Sequence, residues 1–186
     1  MNRREAISSV ALLMGGALIG MDALLAGCAN SKEAGQLLSN SDISLLDEIG
    51  DTIIPTTSTP GAKAVKIGQF MALMVKDCYD EKHQKIFTDG LETFKKTVKE
   101  KTGKSFLDND AAQRLAFLNA LDAEQKAWSK VPANYDNPHY FRMMKELTLL
   151  GYFTSEIGAT QTLRYVETPG RFDGCVPYKK GDKLWA

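Results

Sequence analysis

Between Ser41 and Leu150 the apolar residues of this chain recur three and four positions apart. No stretch alternates apolar with polar for more than a few residues before Tyr165. A period near 3.6 suits helices and a period of two suits half-buried strands, which argues against any sheet-based fold. Ser41 is placed to cap a first helix that carries Ile43, Leu46, Ile49 and Ile53 until Pro55 stops it. Thr56 to Gly61 reads as a turn-rich loop, and a second helix from about Ala62 to Cys78 puts Ile67, Met71, Met74 and Cys78 on one face. A third, from about Asp80 to Lys101, lines up Phe87, Leu91, Phe94 and Val98 before Gly103 ends it. Asp110 opens a fourth bearing Leu115, Leu118 and Leu121 inward. After a loop from Pro132 to Pro138, a fifth carries Phe141, Met144, Leu147 and Leu150. The expected fold is all-α: a small bundle of about five helices that bury their apolar stripes against one another.

From Gly151 onward this pattern breaks. The segment is dense in Gly and Pro, yet it also holds Tyr152, Phe153, Tyr165, Phe172, Tyr178 and Trp185, with Arg171 among them. A merely flexible tail would lack these rings, because aromatic side chains favour burial. The segment is therefore expected to be an irregular arm that lies against something. It either wraps its own helices or meets another polypeptide, where Tyr, Trp and Arg serve as anchors.

The start of the chain reads as an address rather than as fold. Arg3-Arg4 precede an apolar run from Ala6 to Ala26, and Leu25-Ala26-Gly27-Cys28 follows the pattern at which bacterial lipoproteins are cut and lipidated. Residues 1–27 are then a signal peptide, Cys28 the lipidated first residue, 28–40 a tether and 41–186 the folded domain. Acyl chains contribute about 0.8 kcal/mol per buried CH₂, so several on one residue anchor firmly without a spanning helix. A retained membrane helix and a secretory signal without lipid are the competing readings, although Asp22 and three glycines weaken the run as a span. The arginine pair also suits the twin-arginine route, which exports folded proteins.

Charge and chemistry exclude much. The 23 basic and 23 acidic residues balance, and removing 1–27 takes two of each, so nucleic-acid binding is not expected. Only His83 and His139 are present, neither with a second ligand at metal spacing. There is no Gly-x-Ser-x-Gly elbow, no Gly-x-Gly-x-x-Gly fingerprint and no Cys-x-x-Cys-His. Pairs such as Asp47/Glu48 and Asp108/Asp110 read as cap and surface residues. The chain thus offers no assembled catalyst, no metal site and no cofactor site of its own. Beyond Cys28, Cys78 and Cys175 remain; they can pair with each other, stay buried or bridge to a partner.

Two segments carry a resemblance. Leu46-Asp-Glu-Ile-Gly-Asp-Thr-Ile-Ile-Pro55 with Thr59-Pro-Gly-Ala62 resembles the opening motif of the gluconate 2-dehydrogenase subunit 3 family. Gly151-Tyr-Phe-Thr-Ser-Glu-Ile-Gly158, Leu163-Arg-Tyr165 and Pro169-Gly-Arg-Phe-Asp-Gly-Cys-Val-Pro177 resemble its closing motif. The resemblance implies a non-catalytic small subunit of a periplasmic or membrane-bound dehydrogenase acting on sugars, sugar acids or polyols. Its implied partner is a large flavoprotein of the glucose-methanol-choline type that holds FAD, often with a cytochrome c subunit. The small subunit supports the stability and twin-arginine export of that flavoprotein. It further implies that Cys175 could form a disulfide to the large subunit, while Cys78, on the apolar helix face, stays buried. The lipoprotein cysteine departs from the family pattern, and a stand-alone envelope lipoprotein with a binding role is the alternative reading.

Overall fold

A computed structural model describes residues 36–168, 170–172 and 174–185. The chain divides into two compact units, residues 1–41 and 42–186. In the described part of the first, the hydroxyls of Ser39 and Ser41 stand 2.9 Å apart. The second is the helical body. The signal residues Arg3 and Arg4, the lipidation residue Cys28 and most of the tether lie outside the described residues.

Five α-helices follow one another among the described residues: α1 (Asn40–Ile53), α2 (Ile67–Cys78), α3 (Glu81–Thr102), α4 (Ala111–Trp128) and α5 (Tyr140–Phe153). Short 3₁₀ turns at Ala62–Val65, Phe106–Asp108 and Pro132–Asn134 join them. Beyond a single isolated bridge between Arg164 and Trp185, no strand pairing occurs among these residues. The all-α expectation holds. None of the described helices is long and apolar enough to cross a membrane.

The helix ends follow from local chemistry. The Asp80 carboxylate accepts the His83 backbone N–H at 2.8 Å and starts α3. Gly103 ends it in the left-handed region (φ 71°), its N–H donating to the Lys99 carbonyl. Asp110 and Gln113 form a reciprocal capping box at the head of α4. The second expected helix is broken instead: Lys66 adopts φ 54° and separates the turn at Ala62–Val65 from α2. Lys66 has no side-chain oxygen to cap α2, and the cap comes from another helix. Asp47 of α1 accepts the Gly68 N–H at 2.8 Å. A β-carbon on Gly68 would stand 2.2 Å from the Ile43 carbonyl, so glycine lets the two backbones close to this distance.

Helix α5 is the hub, packing against α2, α3 and α4. It buries Phe141, Met143, Met144, Leu147, Thr148, Gly151 and Tyr152. Around it lie Ile67, Met71 and Val75 of α2, then Phe87, Leu91, Phe94 and Val98 of α3, and Phe117, Leu118 and Leu121 of α4. Phe94 meets Phe106 and Phe117 edge-on at 5.1 and 5.3 Å, an arrangement that adds to the stabilisation from buried area.

Three expected core positions prove exposed: Leu115, Leu150 and Cys78. Leu115 and Leu150 each extend a stripe by a step of three, and Cys78 follows Met74, itself a step of three from Met71. Three residues turn a helix about 60° short of a full circle, so successive steps of three carry the side chain off the buried face. Steps of four, as in Ile67, Met71 and Val75, keep the true seam.

Candidate partner-binding surface

The two motif segments meet at one corner of the body. Gly50 of α1 faces Ile67, and Gly151 of α5 faces Phe70 and Ile67; a β-carbon at either glycine would stand about 2.4 Å from its neighbour. Tyr152 spans the corner. Its hydroxyl donates to the Pro60 carbonyl at 2.5 Å and lies 2.7 Å from the Thr162 hydroxyl. A carbonyl can only accept, so the single phenolic proton goes to Pro60 and Thr162 donates to Tyr152. The loop of the opening motif is thereby held by the closing one. Just beyond, Ser155 donates to the Tyr152 carbonyl at 2.6 Å and accepts the Gly158 N–H at 3.0 Å. A π-turn at Gly158–Thr162 then ends the helical body.

Glu48 of the opening motif ties in more distant elements. It pairs with Lys63 at 2.7 Å and with Arg114 of α4, whose guanidinium also donates to the Phe106 and Leu107 carbonyls. Burial pushes the Glu48 carboxyl up, but Lys63 and Arg114 outweigh it and hold the group below its usual range. Glu48 is therefore a structural tie joining α1 to the turn at Ala62–Val65 and to α4, while Asp47 and Asp110 serve as caps as expected.

This geometry corrects one expected anchor. Tyr152 is 1 % exposed and engaged on both sides, so it belongs to the core and cannot reach a partner. The arm correspondingly begins later than expected, because Gly151 lies inside α5, where it permits close approach of α2 instead of ending the helix. Phe153 remains partly exposed at the helix end.

The remaining aromatic positions stand in water. Phe172 is 97 % exposed and Tyr178 72 %, and Tyr165, Val176, Leu184 and Trp185 are exposed as well. They do not hang on a loose tail. The Arg164 N–H donates to the Leu184 carbonyl at 2.7 Å, and its guanidinium lies 4.5 Å from the centre of the Trp185 ring. Lys183 reaches the Gln161 carbonyl at 2.5 Å. The end of the chain therefore returns to the start of the arm and closes a loop. A tight turn at Lys179–Asp182, with Gly181 at φ 97°, precedes the returning residues. Arg171 lies on this loop among exposed residues. Arg164 escaped the sequence-based choice of anchors; its only signal was a cation among rings, with Trp185 twenty-one positions away.

Cys78 and Cys175 are both free thiols and both exposed. The burial expected of Cys78 fails because it is the last residue of α2, one step of three past Val75. Its Sγ lies 3.8 Å from the Met74 sulfur.

A shallow open cleft of about 590 Å³ lies between the end of α2, the start of α3 and α5, lined by Tyr79, Asp80, His83, Arg142 and Glu146. Its polar groups already have partners: Asp80 and His83 lie 2.6 Å apart, and Arg142 pairs with Glu146 at 2.7 Å. Among the described residues, no group of three or more His, Cys, Asp or Glu is placed to hold a metal ion.

His139 has a structural task. Its Nδ1 accepts the Phe141 N–H at 3.2 Å, which caps α5, and its ring stacks on Tyr140 at 4.5 Å. Nε2 faces Glu124 at 3.6 Å and Trp128 meets the ring edge-on. Burial pushes the imidazole below its ordinary value of about 6.5, against the pull of Glu124. Folding therefore favours neutral His139. Its contribution is complete above pH 6.5 and is lost as pH falls below that value, where the unfolded chain takes up the proton first. The urea midpoint is expected to fall between pH 7.5 and 5.5, and less steeply in His139→Asn, which keeps a capping oxygen without a titrating ring. Equal slopes for both proteins would refute this role.

A family model described as gluconate 2-dehydrogenase subunit 3 matches residues 40–170, well over half of the chain. The matched span covers all five helices and the corner where the two motifs meet, and it ends within the arm. No curated protein and no solved structure matches the chain. With its motif segments interlocked in the way described, the chain belongs to the gluconate 2-dehydrogenase subunit 3 family, and so to the accessory subunits of a multi-subunit dehydrogenase.

Proposed function

We propose that this chain is a non-catalytic small subunit of a periplasmic or membrane-bound dehydrogenase that oxidises sugars, sugar acids or polyols. Its principal partner is a large FAD-bearing subunit of the glucose-methanol-choline type, and a cytochrome c subunit can complete the path for electrons. The chain supports the stability and export of the flavoprotein and holds it at the bacterial envelope, facing the periplasm, through lipid on Cys28. The observation that carries this reading is the ring of exposed aromatic side chains from Tyr165 to Trp185 on a body that belongs to a family of subunits. Isolated apolar residues on a surface are ordinary, but seven exposed along one loop mark a contact surface. The Arg3-Arg4 pair supports export of a partner that is already folded, and Leu-Ala-Gly-Cys28 supports the anchor.

The test is purification of the full chain, tagged at its C-terminus, from native membranes in mild detergent. The expected product carries flavin absorbance near one equivalent per chain, and intact mass spectrometry finds diacylglycerol on Cys28. A flavin-free monomer would overturn the subunit reading and favour a stand-alone lipoprotein. Cys28→Ser should release the complex from the membrane without dissociating it.

A further inference from the structure

We infer that Arg164 and Trp185 form a clasp that holds the aromatic loop in the shape its large partner recognises; the inference rests on the subunit reading above. Three contacts join residues 161–164 to 183–185: the hydrogen bond from Arg164 to Leu184, the cation–π contact between Arg164 and Trp185, and the bond from Lys183 to Gln161. Between these ends, Tyr165, Phe172, Val176 and Tyr178 are all exposed. Burial of those rings therefore does not hold the loop, and closure at its base does.

The arrangement has a thermodynamic consequence. An open segment of this length would lose its conformational freedom at the moment of docking, and that loss would weaken the complex. Closing the ends beforehand removes part of the loss, so the rings are presented together without first being ordered. Guanidinium suits the task because a planar cation can stack on an indole face and still donate hydrogen bonds from its edge. Trp185 itself remains 57 % exposed, leaving the indole only partly covered by its clasp partner. The occupant is the flavoprotein subunit of the reading above, which would cover Phe172 and its exposed neighbours. Arg164 is a positioning residue here, acting through the loop.

The experiment compares the full chain with Arg164→Ala and Trp185→Ala, each co-expressed with the flavoprotein and purified from membranes in mild detergent. Two readouts are taken: dissociation of flavin-bearing subunit on dilution, and hydrogen exchange of residues 165–183 in the chain freed of its partner. Both variants should keep the helical signal and melting temperature of the parent, exchange faster across the loop, and release the flavoprotein about tenfold faster. Arg164→Lys, which keeps charge but loses the flat face, should fall between. If the parent holds the flavoprotein and both alanine variants hold it equally long, the clasp inference is overturned while the subunit reading stands. If the parent carries no flavoprotein, or its loop is captured by anionic lipid vesicles alone, the reading falls and the clasp with it.

Discussion

Tyr152→Ala is expected to lower the unfolding free energy by about 3–5 kcal/mol, the range for truncating a fully buried aromatic side chain. Tyr152 is among the largest wholly buried side chains of the body, and it alone among the described residues links Pro60 to Thr162 by hydrogen bonds. Two effects combine: a cavity at the end of α5, and release of the Pro55–Gly61 loop from the closing segment. Tyr152→Phe separates them. It preserves the ring and strands only the Pro60 carbonyl and the Thr162 hydroxyl, so it should cost about 1–3 kcal/mol. Urea unfolding followed by far-ultraviolet circular dichroism measures both. A phenylalanine variant as unstable as the alanine one would mean that the hydroxyl, not the ring, carries the site. An alanine variant as stable as the parent would remove Tyr152 from the core altogether.

Gly90→Ala is the second large effect, and its sign is informative. In an exposed helix interior this change would stabilise by about 1 kcal/mol through helix propensity. Here the new β-carbon would stand 2.1 Å from the β-carbon of Tyr140, closer than real β-carbons ever come. Tyr140 lies in the first turn of α5, beside the His139 cap, so relief requires the α3 and α5 backbones to part. Overpacking of this kind costs about 1–3 kcal/mol, which outweighs the propensity gain. The expected outcome is a lower urea midpoint with unchanged helix content in water. A raised midpoint would show that α3 and α5 do not cross at Gly90.

Some of this architecture was legible in the sequence because the signal is local. Asp80, the stripe of Phe87, Leu91, Phe94 and Val98, and Gly103 mark one helix at both ends and along one face, and α3 follows them to within a residue. The capping role of Asp110 needed only its neighbours. What escaped depends on contacts distant along the chain. Asp47 caps α2 across 21 residues, and Glu48 reaches Arg114 across 66. Neither spacing has a local signature. Lys66 in the left-handed region was equally hidden, since lysine carries no propensity for it. Leu115, Leu150 and Cys78 were misplaced because steps of three drift around a helix.

The site divides the same way. That the arm is rich in rings was plain from composition, and the structure leaves those from Tyr165 onward exposed. Tyr152 falls among the arm's rings in the sequence because the helical stripe reads only to Leu150 and the Gly-, Pro- and ring-rich segment begins at Gly151. Only the packing of Phe70 and Ile67 against that glycine explains why the helix continues and takes Tyr152 into the core. The Arg164–Trp185 closure needed both ends of a long loop at once, which no window of sequence supplies.

The account stands on the claim that the aromatic loop is covered by a larger redox subunit. The most direct test places a photo-reactive phenylalanine at position 172 in the full chain, irradiates intact membranes and identifies the captured peptide. The account predicts a single covalent adduct with a chain that binds FAD, suppressed by an excess of intact, separately tagged competitor but not by a competitor from which residues 163–186 are deleted. Adducts confined to the helices of this same chain, or to lipid, would contradict it.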